Sequence, residues 1–248
     1  MQVTDPHLLG DADGTLREVV TLTSLRRVLR AAQTTIEQSD VLLVTGDIVN
    51  DDAAGYQWLR TELGALQKPV LCIAGNHDPS QCASALNSSP FQFGGHFDLG
   101  SWRIVMLNSA CPGYAYGRLS TQELERLEQA LNTNPQLHIL IVMHHHPVPM
   151  GSAWLDAIAL QNSAEFFDIV DRHPNVCGIL WGHVHQTFDA QRRQIKLMGT
   201  PSTCFQFLPH SDNFKIDTLT PAYRSLELFA DGHMQSKVHW LNKIVLES

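Results

Sequence analysis

Five apolar runs in this chain break off in the same chemical way. Residues 1–4 run into Asp5-Pro6-His7, residues 41–45 into Gly46-Asp47, and residues 70–74 into Gly75-Asn76-His77-Asp78. Residues 140–143 run into His144, His145 and His146, and residues 176–181 into Gly182-His183-Val184-His185. Turn chemistry accounts for a glycine and for an isolated Asp or Asn at such a point. It gives no reason for an imidazole, amide or carboxylate at every one. Unbroken apolar runs of this kind suit strands buried on both faces, the habit of parallel sheets. The carboxyl ends of parallel strands share one edge, and ligands bind along it. Donors between positions 5 and 185 are therefore expected to converge.

The remaining pattern places helices among these strands. Leu22, Leu25, Val28, Leu29, Ala32 and Ile36 recur at helical spacing, and Tyr56, Trp58, Leu59 and Leu63 mark a second helix. Ser120 with Glu123 forms a capping box that opens a helix with Leu124, Leu127 and Leu131 on one face. A further helix is expected over residues 164–171. Strands are expected at 103–107 and 138–143, then β-like pieces at 186–190, 194–198, 203–207, 223–229 and 235–240. Strands alternating with helices, followed by a β-rich tail, predict a layered α/β fold with much of its sheet parallel. No repeat or linker divides the chain, so one domain over residues 1–248 is expected. The first strand begins at Met1 and has little room before Asp5, against the usual length of about five or six residues. It reads as a trimmed strand.

Composition removes several function classes. The net charge of -8 argues against a nucleic-acid binder, because phosphate backbones are held mainly by Lys and Arg. No apolar run approaches a membrane span, and no signal peptide is visible. The five cysteines are scattered with no C-x-x-C pair, which predicts a reduced, cytoplasmic protein. The 13 histidines, several next to glycine or to each other, point to metal. His96, His138, His173, His233 and His239 are expected as surface or core residues, and Trp58, Trp102, Trp181 and Trp240 as packing. Asn50, Asp51 and Asp52 are expected to cap the next helix.

The side chains at these strand ends are carboxylates, imidazoles and an amide, with no thiolate. Carboxylate, imidazole and amide suit Mn, Fe or Zn better than a structural zinc knot. These donors are too many for one transition ion, and two ions sharing a carboxylate fit. Two-metal sites with ions about 3.5–4 Å apart serve in-line displacement at phosphorus.

The ordered series D-x-H, G-D, G-N-H-D, a strand ending in His, and G-H-x-H resembles the calcineurin-like metallophosphoesterases, whose fold is a β-sandwich flanked by helices. The stretches MHHHPVPMGSAWLD (143–156) and TPSTCFQFLPHSDNF (200–214) resemble the bacterial class III 3',5'-cyclic-AMP phosphodiesterases. The resemblance implies two divalent ions, iron or manganese before zinc. It implies Asp5, His7 and His185 at the first ion, Asn76, His144 and His183 at the second, and Asp47 bridging them. It implies that His77 is the catalytic proton donor rather than a ligand. His7, Asp47, Asn76, His77 and His185 would touch substrate, and His210 falls in the second subfamily stretch. The roles of His145 and His146 stay open. The reaction implied is hydrolysis of the 3'-ester bond of cyclic AMP to 5'-AMP, by a monomer or homodimer. Two divalent ions bring about +4, and Asp5, Asp47 and one hydroxide about -3, which leaves a local charge near +1 for an anionic diester. Alternatives are other phosphate esters, such as glycerophosphodiesters or 2',3'-cyclic nucleotides, and a non-catalytic scaffold. Pro6 departs from the family pattern and is expected to put the placement of His7 at risk.

Overall fold

The computed structural model describes residues 1–80 and 82–242, so the expected domain end at 248 lies outside the described residues. The apolar runs become the central strands of two six-stranded sheets. In the first, Gln2–Val3, Leu42–Thr45, Val70–Ile73 and Phe91–Phe93 lie parallel in that order. Ala222–Leu228 and Met234–Trp240 extend it antiparallel beyond Gln2–Val3. In the second, Trp102–Met106, His138–Met143, Val176–Trp181 and Ile195–Gly199 are parallel, bracketed by antiparallel Gly95–Leu99 and Phe188–Arg192.

Alternation along each strand explains the layers. Leu43, Leu71 and Ile73 of the first sheet share a core with Ile104, Leu140, Val142 and Leu180 of the second. Leu42, Val44 and Cys72 pack instead with Leu22, Leu25 and Val28 of the helix Thr21–Ala31 and with Leu59 and Leu63 of Tyr56–Gly64. On the far side, Ile139, Ile141 and Ile179 meet Leu127 and Leu131 of Thr121–Thr133 and Phe166 and Val170 of Ser163–Val170. The order is helix, sheet, sheet, helix. Both faces of the parallel strands are covered, which is why their sequences are apolar without interruption.

The first strand is only Gln2–Val3, yet it is paired on both sides, to Leu43 and Val44 and to Arg224. The buried Gln2 side chain also crosses between the sheets. Its amide donates to Thr45 Oγ1 at 2.8 Å and to the Trp181 carbonyl at 3.3 Å.

Some local expectations are corrected. Ser120 Oγ accepts from Glu123 N at 3.1 Å, but the Glu123 carboxylate bonds Asn108 N and Arg126 instead of turning back, so half of the capping box forms. Within residues 203–207 only Gln206–Phe207 is a strand. Thr203 is drawn away to hydrogen-bond the Thr4 carbonyl. Phe91–Phe93 and Gly95–Leu99 are two strands that the sequence pattern does not announce, because Gly94 and Gly95, both at positive φ, break the alternation. Trp240 is 38% exposed rather than packed.

Leu180 lies fully buried between the sheets. Leu180→Ala should destabilise the protein by about 2–5 kcal/mol through lost contacts and a residual cavity. Urea unfolding should show a lower midpoint at an unchanged slope.

Candidate dinuclear metal centre

Strand pairing in the first sheet continues past the strands as loop-to-loop hydrogen bonds. Asp5 N donates to Gly46 O at 3.1 Å, His7 N to Asp47 O at 3.0 Å, and Leu8 N to Ile48 O at 2.9 Å. Position 6 has no part in this ladder, so a proline there removes no bond and does not displace His7. Three donors follow a glycine that has no room for a side chain. A Cβ on Gly46 would press on the His144 ring and lie 2.7 Å from Gly75 N. One on Gly75 would strike Asp47, and one on Gly182 would strike Thr4 Oγ1 and lie 2.7 Å from Asp5 Oδ2. Glycine is required there because the five loops close on one another.

All seven expected donors come together at the seam where the sheet edges meet. His7 Nε2 lies 3.2 Å from His185 Nε2, which lies 3.3 Å from Asp5 Oδ1. Asp47 reaches both sides, with Oδ2 3.8 Å from His7 Nε2 and Oδ1 3.4 Å from His144 Nε2. Asn76 Oδ1 lies 3.3 Å from His144 Nε2. The His183 ring is 5.0 Å from that of His144. Backbone carbonyls aim two of the rings: His185 Nδ1 bonds Phe205 O at 2.6 Å, and His144 Nδ1 bonds Thr45 O at 2.8 Å. Their Nε2 atoms are thereby presented to the seam.

The surroundings fit a pair of cations. Asp5/His7/His185 and Asp5/Asp47/His144 each hold donor atoms within 4.8 Å of one another, as do His144/His145/His183. His183 Nε2 is buried with no hydrogen-bond partner. Burial pushes the His7 imidazole down to about 4 and holds His183 well below its usual value, so both are neutral and free to ligate. Burial also acts on His144, but Asp47 and Asp5 outweigh it and push the ring up to about 9. Asp47 is held well below the carboxylate range: burial opposes ionisation, and His144 and His7 overcome it. Two buried carboxylates here require positive charge.

His145 and His146 are buried as well, which excludes the exposed polar run that three consecutive histidines can form. His145 is tied at both nitrogens, Nδ1 to Ser109 Oγ at 2.8 Å and Nε2 to Ala115 O at 3.2 Å. His146 stacks on His183 at 5.6 Å, with Nε2 3.7 Å from Asp156 Oδ1.

His77 stands beside the cluster, its ring 5.2 Å from that of His7. Its backbone N–H donates to Asp47 Oδ1 at 2.8 Å, and its Nδ1 lies 3.0 Å from Asp51 Oδ2. Asp51 is therefore more than a cap. Asp52 performs the capping, accepting from Ala54 N at 3.1 Å. Asp78 is a second residue that the motif contained without a role. Its carboxylate accepts from Ile48 N, Val49 N, Gly75 N and Tyr56 Oη, and so clamps the loops that carry Asp47 and Asn76. His210 is exposed at positive φ, on a loop beside Gly151.

A family model described as calcineurin-like phosphoesterase matches residues 1–187. The chain belongs to the calcineurin-like phosphoesterases. Among its relatives, the 3',5'-cyclic adenosine monophosphate phosphodiesterase CpdA of Vibrio vulnificus is 40% identical over 97% of this chain and 89% of that protein. The CpdA of Escherichia coli K12 is 37% identical over 97% of this chain and 89% of its own length. In fold, the chain is similar to a dimetal phosphatase from Danio rerio, with a TM-score of 0.68 at 16% identity over 96% of this chain and 95% of that one. Phosphoesterases of this family are dimetal enzymes, and the Asp and His clusters here could hold both ions.

Gly182→Ala tests the close packing of this family's loops. The added methyl should move Asp5 and weaken manganese binding at least tenfold. Titration calorimetry should show the loss, with far-UV circular dichroism unchanged.

Proposed function

We propose that residues 1–248 act as one metallophosphoesterase domain that hydrolyses the 3'-ester bond of 3',5'-cyclic AMP to give 5'-AMP. The observation that carries this reading is the convergence of seven N/O donors from five strand ends with a further imidazole, His77, held at their side by Asp51. Whole-length similarity to CpdA phosphodiesterases supports the substrate. Asp5, His7 and His185 would hold one ion and Asn76, His144 and His183 the other, with Asp47 serving both. Iron or manganese suits this donor set. Two such ions, when bound, supply positive charge to the phosphate oxygens and acidify a water toward a pKa of about 7.

The chain's own residues do the rest. Asp51 holds Nδ1 of His77, so Nε2 faces the site and delivers a proton to the departing 3'-oxygen. The His77 backbone bond to Asp47 fixes this donor relative to the ligand that serves both ions. Asp78 keeps the loops of Asp47 and Asn76 in register. All five cysteines are free thiols, in keeping with a reducing cytoplasm.

The sign of the pH effect follows from His77. Burial lowers its affinity for a proton, but Asp47 and Asp51 outweigh it, and its pKa is raised. The acid form therefore persists to higher pH, and activity falls as pH rises through that raised value. Asp51→Asn removes one of the raising partners. Its kcat/KM profile should lose activity on the alkaline side at lower pH than the wild type. His77→Ala should keep both metals, measured by elemental analysis, and lose about 10²–10⁴ in kcat.

A panel of cyclic AMP, cyclic GMP, 2',3'-cyclic AMP, bis-(p-nitrophenyl) phosphate and p-nitrophenyl phosphate on manganese-loaded protein tests the substrate. Cyclic AMP should give the highest kcat/KM among the natural compounds. Turnover of p-nitrophenyl phosphate alone would end the cyclic-nucleotide reading.

A further inference from the structure

The donors and His77 grip only a phosphate and its leaving oxygen. A nucleotide also carries a flat aromatic base one ribose away, and base-on-aromatic stacking is the common way to hold one. Two aromatic groups flank the centre. On the side of the first ion, Phe207 stacks on His185 at 4.1 Å and continues to Phe214. Phe214 is already engaged, with Trp154 at 5.2 Å, Phe207 at 5.4 Å and the Arg17 guanidinium over its ring at 5.2 Å.

On the side of the second ion stands a hairpin from Ser109 to Arg118, rising just beyond the strand Trp102–Met106. Its root is closed by Arg118 N to Ser109 O at 2.9 Å and by the bridge between Ala110 and Gly117. It is pinned to the site through His145. Ser109 and Ala115 hold the two nitrogens of that ring, and Gly117 packs so close that a Cβ would collide with it. The His145 ring lies 4.9 Å from His144 and 4.6 Å from His183, two donors of the second ion.

At the tip of this hairpin Tyr114 and Tyr116 stack on each other, centroids 4.7 Å apart and planes 28° from parallel. Tyr114 is 57% exposed, the largest value among the exposed large hydrophobic side chains described. Neither phenol has a hydrogen-bond partner among the described residues. The two rings support each other and Tyr114 is open to water, on a hairpin whose Ala115 carbonyl and Gly117 meet His145, the imidazole beside the metal ligands. Nothing in the fold requires this pair, since neither ring belongs to any of the three core clusters.

We infer that the Tyr114–Tyr116 pair is the base platform of the site, stacking the purine of the nucleotide whose phosphate lies at the metal centre. This inference rests on the proposed nucleotide substrate. His145 then has a positioning role: it fixes the distance between the platform and the second ion.

The experiment compares two ligands that share a phosphate and a ribose and differ in the base. Calorimetry on manganese-loaded protein should show AMP binding at least about tenfold (about 1.4 kcal/mol) more tightly than ribose 5-phosphate. In the double variant Tyr114→Ala/Tyr116→Ala the two affinities should come within about twofold of each other. The double variant Tyr114→Phe/Tyr116→Phe retains both ring faces and should keep the preference. An unchanged preference in the alanine variant overturns the inference, as does equal binding of the two ligands by the wild type. Cyclic AMP turnover is measured on the same wild-type preparation. Its absence beside an intact AMP preference would remove the proposed reaction and leave the platform standing.

Discussion

Two buried carboxylates set the terms for the whole molecule. Asp5 and Asp47 sit fully inside the seam between two sheets, where an uncompensated charge is untenable. The fold answers first with backbone. The His183 N–H, from the second sheet, donates to both oxygens of Asp5, and the His77 N–H donates to Asp47. It answers next with imidazoles, which come from strand ends on both sides. Cations held by these clusters would meet the requirement for positive charge that remains. Parallel strands are the natural device for this, since each delivers its carboxyl end to the same edge. Two such sheets packed face to face bring two edges together, and a dinuclear site can be assembled across them.

This convergence strains the chain. Asp5, His7, Asp47, His183 and His185 all have φ between 45° and 66°, the left-handed region that non-glycine residues seldom occupy. Each such residue costs on the order of 1–3 kcal/mol and persists only where the surroundings over-determine it. Here they do. Both faces of the central strands are buried in apolar layers, and the loops beyond them are cross-bonded from one to the next. The glycines at 46, 75 and 182 let those loops approach without side chains between them. Asp78 adds a half-buried carboxylate that collects four donors, from Ile48, Val49, Gly75 and Tyr56. Packing energy in the sandwich thus supports strain at its rim.

Much of this was legible in the sequence because parallel strands buried on both sides are written without alternation. Their ends stand out as a sudden change from Val, Ile and Leu to Gly followed by Asp, Asn or His. The alternating α/β arrangement and the convergence of the strand-end donors follow from that single pattern, whereas the division of seven of them between two ions was implied by the family resemblance. Other features have no linear signal. Nothing in one dimension separates His144, His145 and His146, because their difference lies in which carbonyl or hydroxyl meets each ring. Asp51 and Asp52 are adjacent and chemically identical, yet one bonds His77 and the other caps a turn. Gly94 and Gly95 hide two strands by interrupting the pattern that announces strands. The proline at position 6 is harmless because the loop ladder uses the N–H groups of residues 5, 7 and 8, a fact with no trace in the linear sequence. In each case a contact made by residues distant in sequence decides the outcome.

A division of labour follows from where these groups lie. The phosphate grip is made of strand ends in a rigid seam, and its chemistry is the same for any phosphate ester. A chain of net charge -8 can serve an anion through it because the positive charge is concentrated at one buried point rather than spread over the surface. Selectivity among esters has to come from elsewhere, from groups that touch what the phosphate is attached to. Those groups lie on hairpins and loops that rise beside the seam, such as the one carrying Tyr114 and Tyr116, and they contribute nothing to the core. Loops of that kind can change without disturbing the strained ligand set. This is why a single metal-binding frame can hydrolyse many different esters, and why the strand-end motifs alone name the reaction but not the substrate.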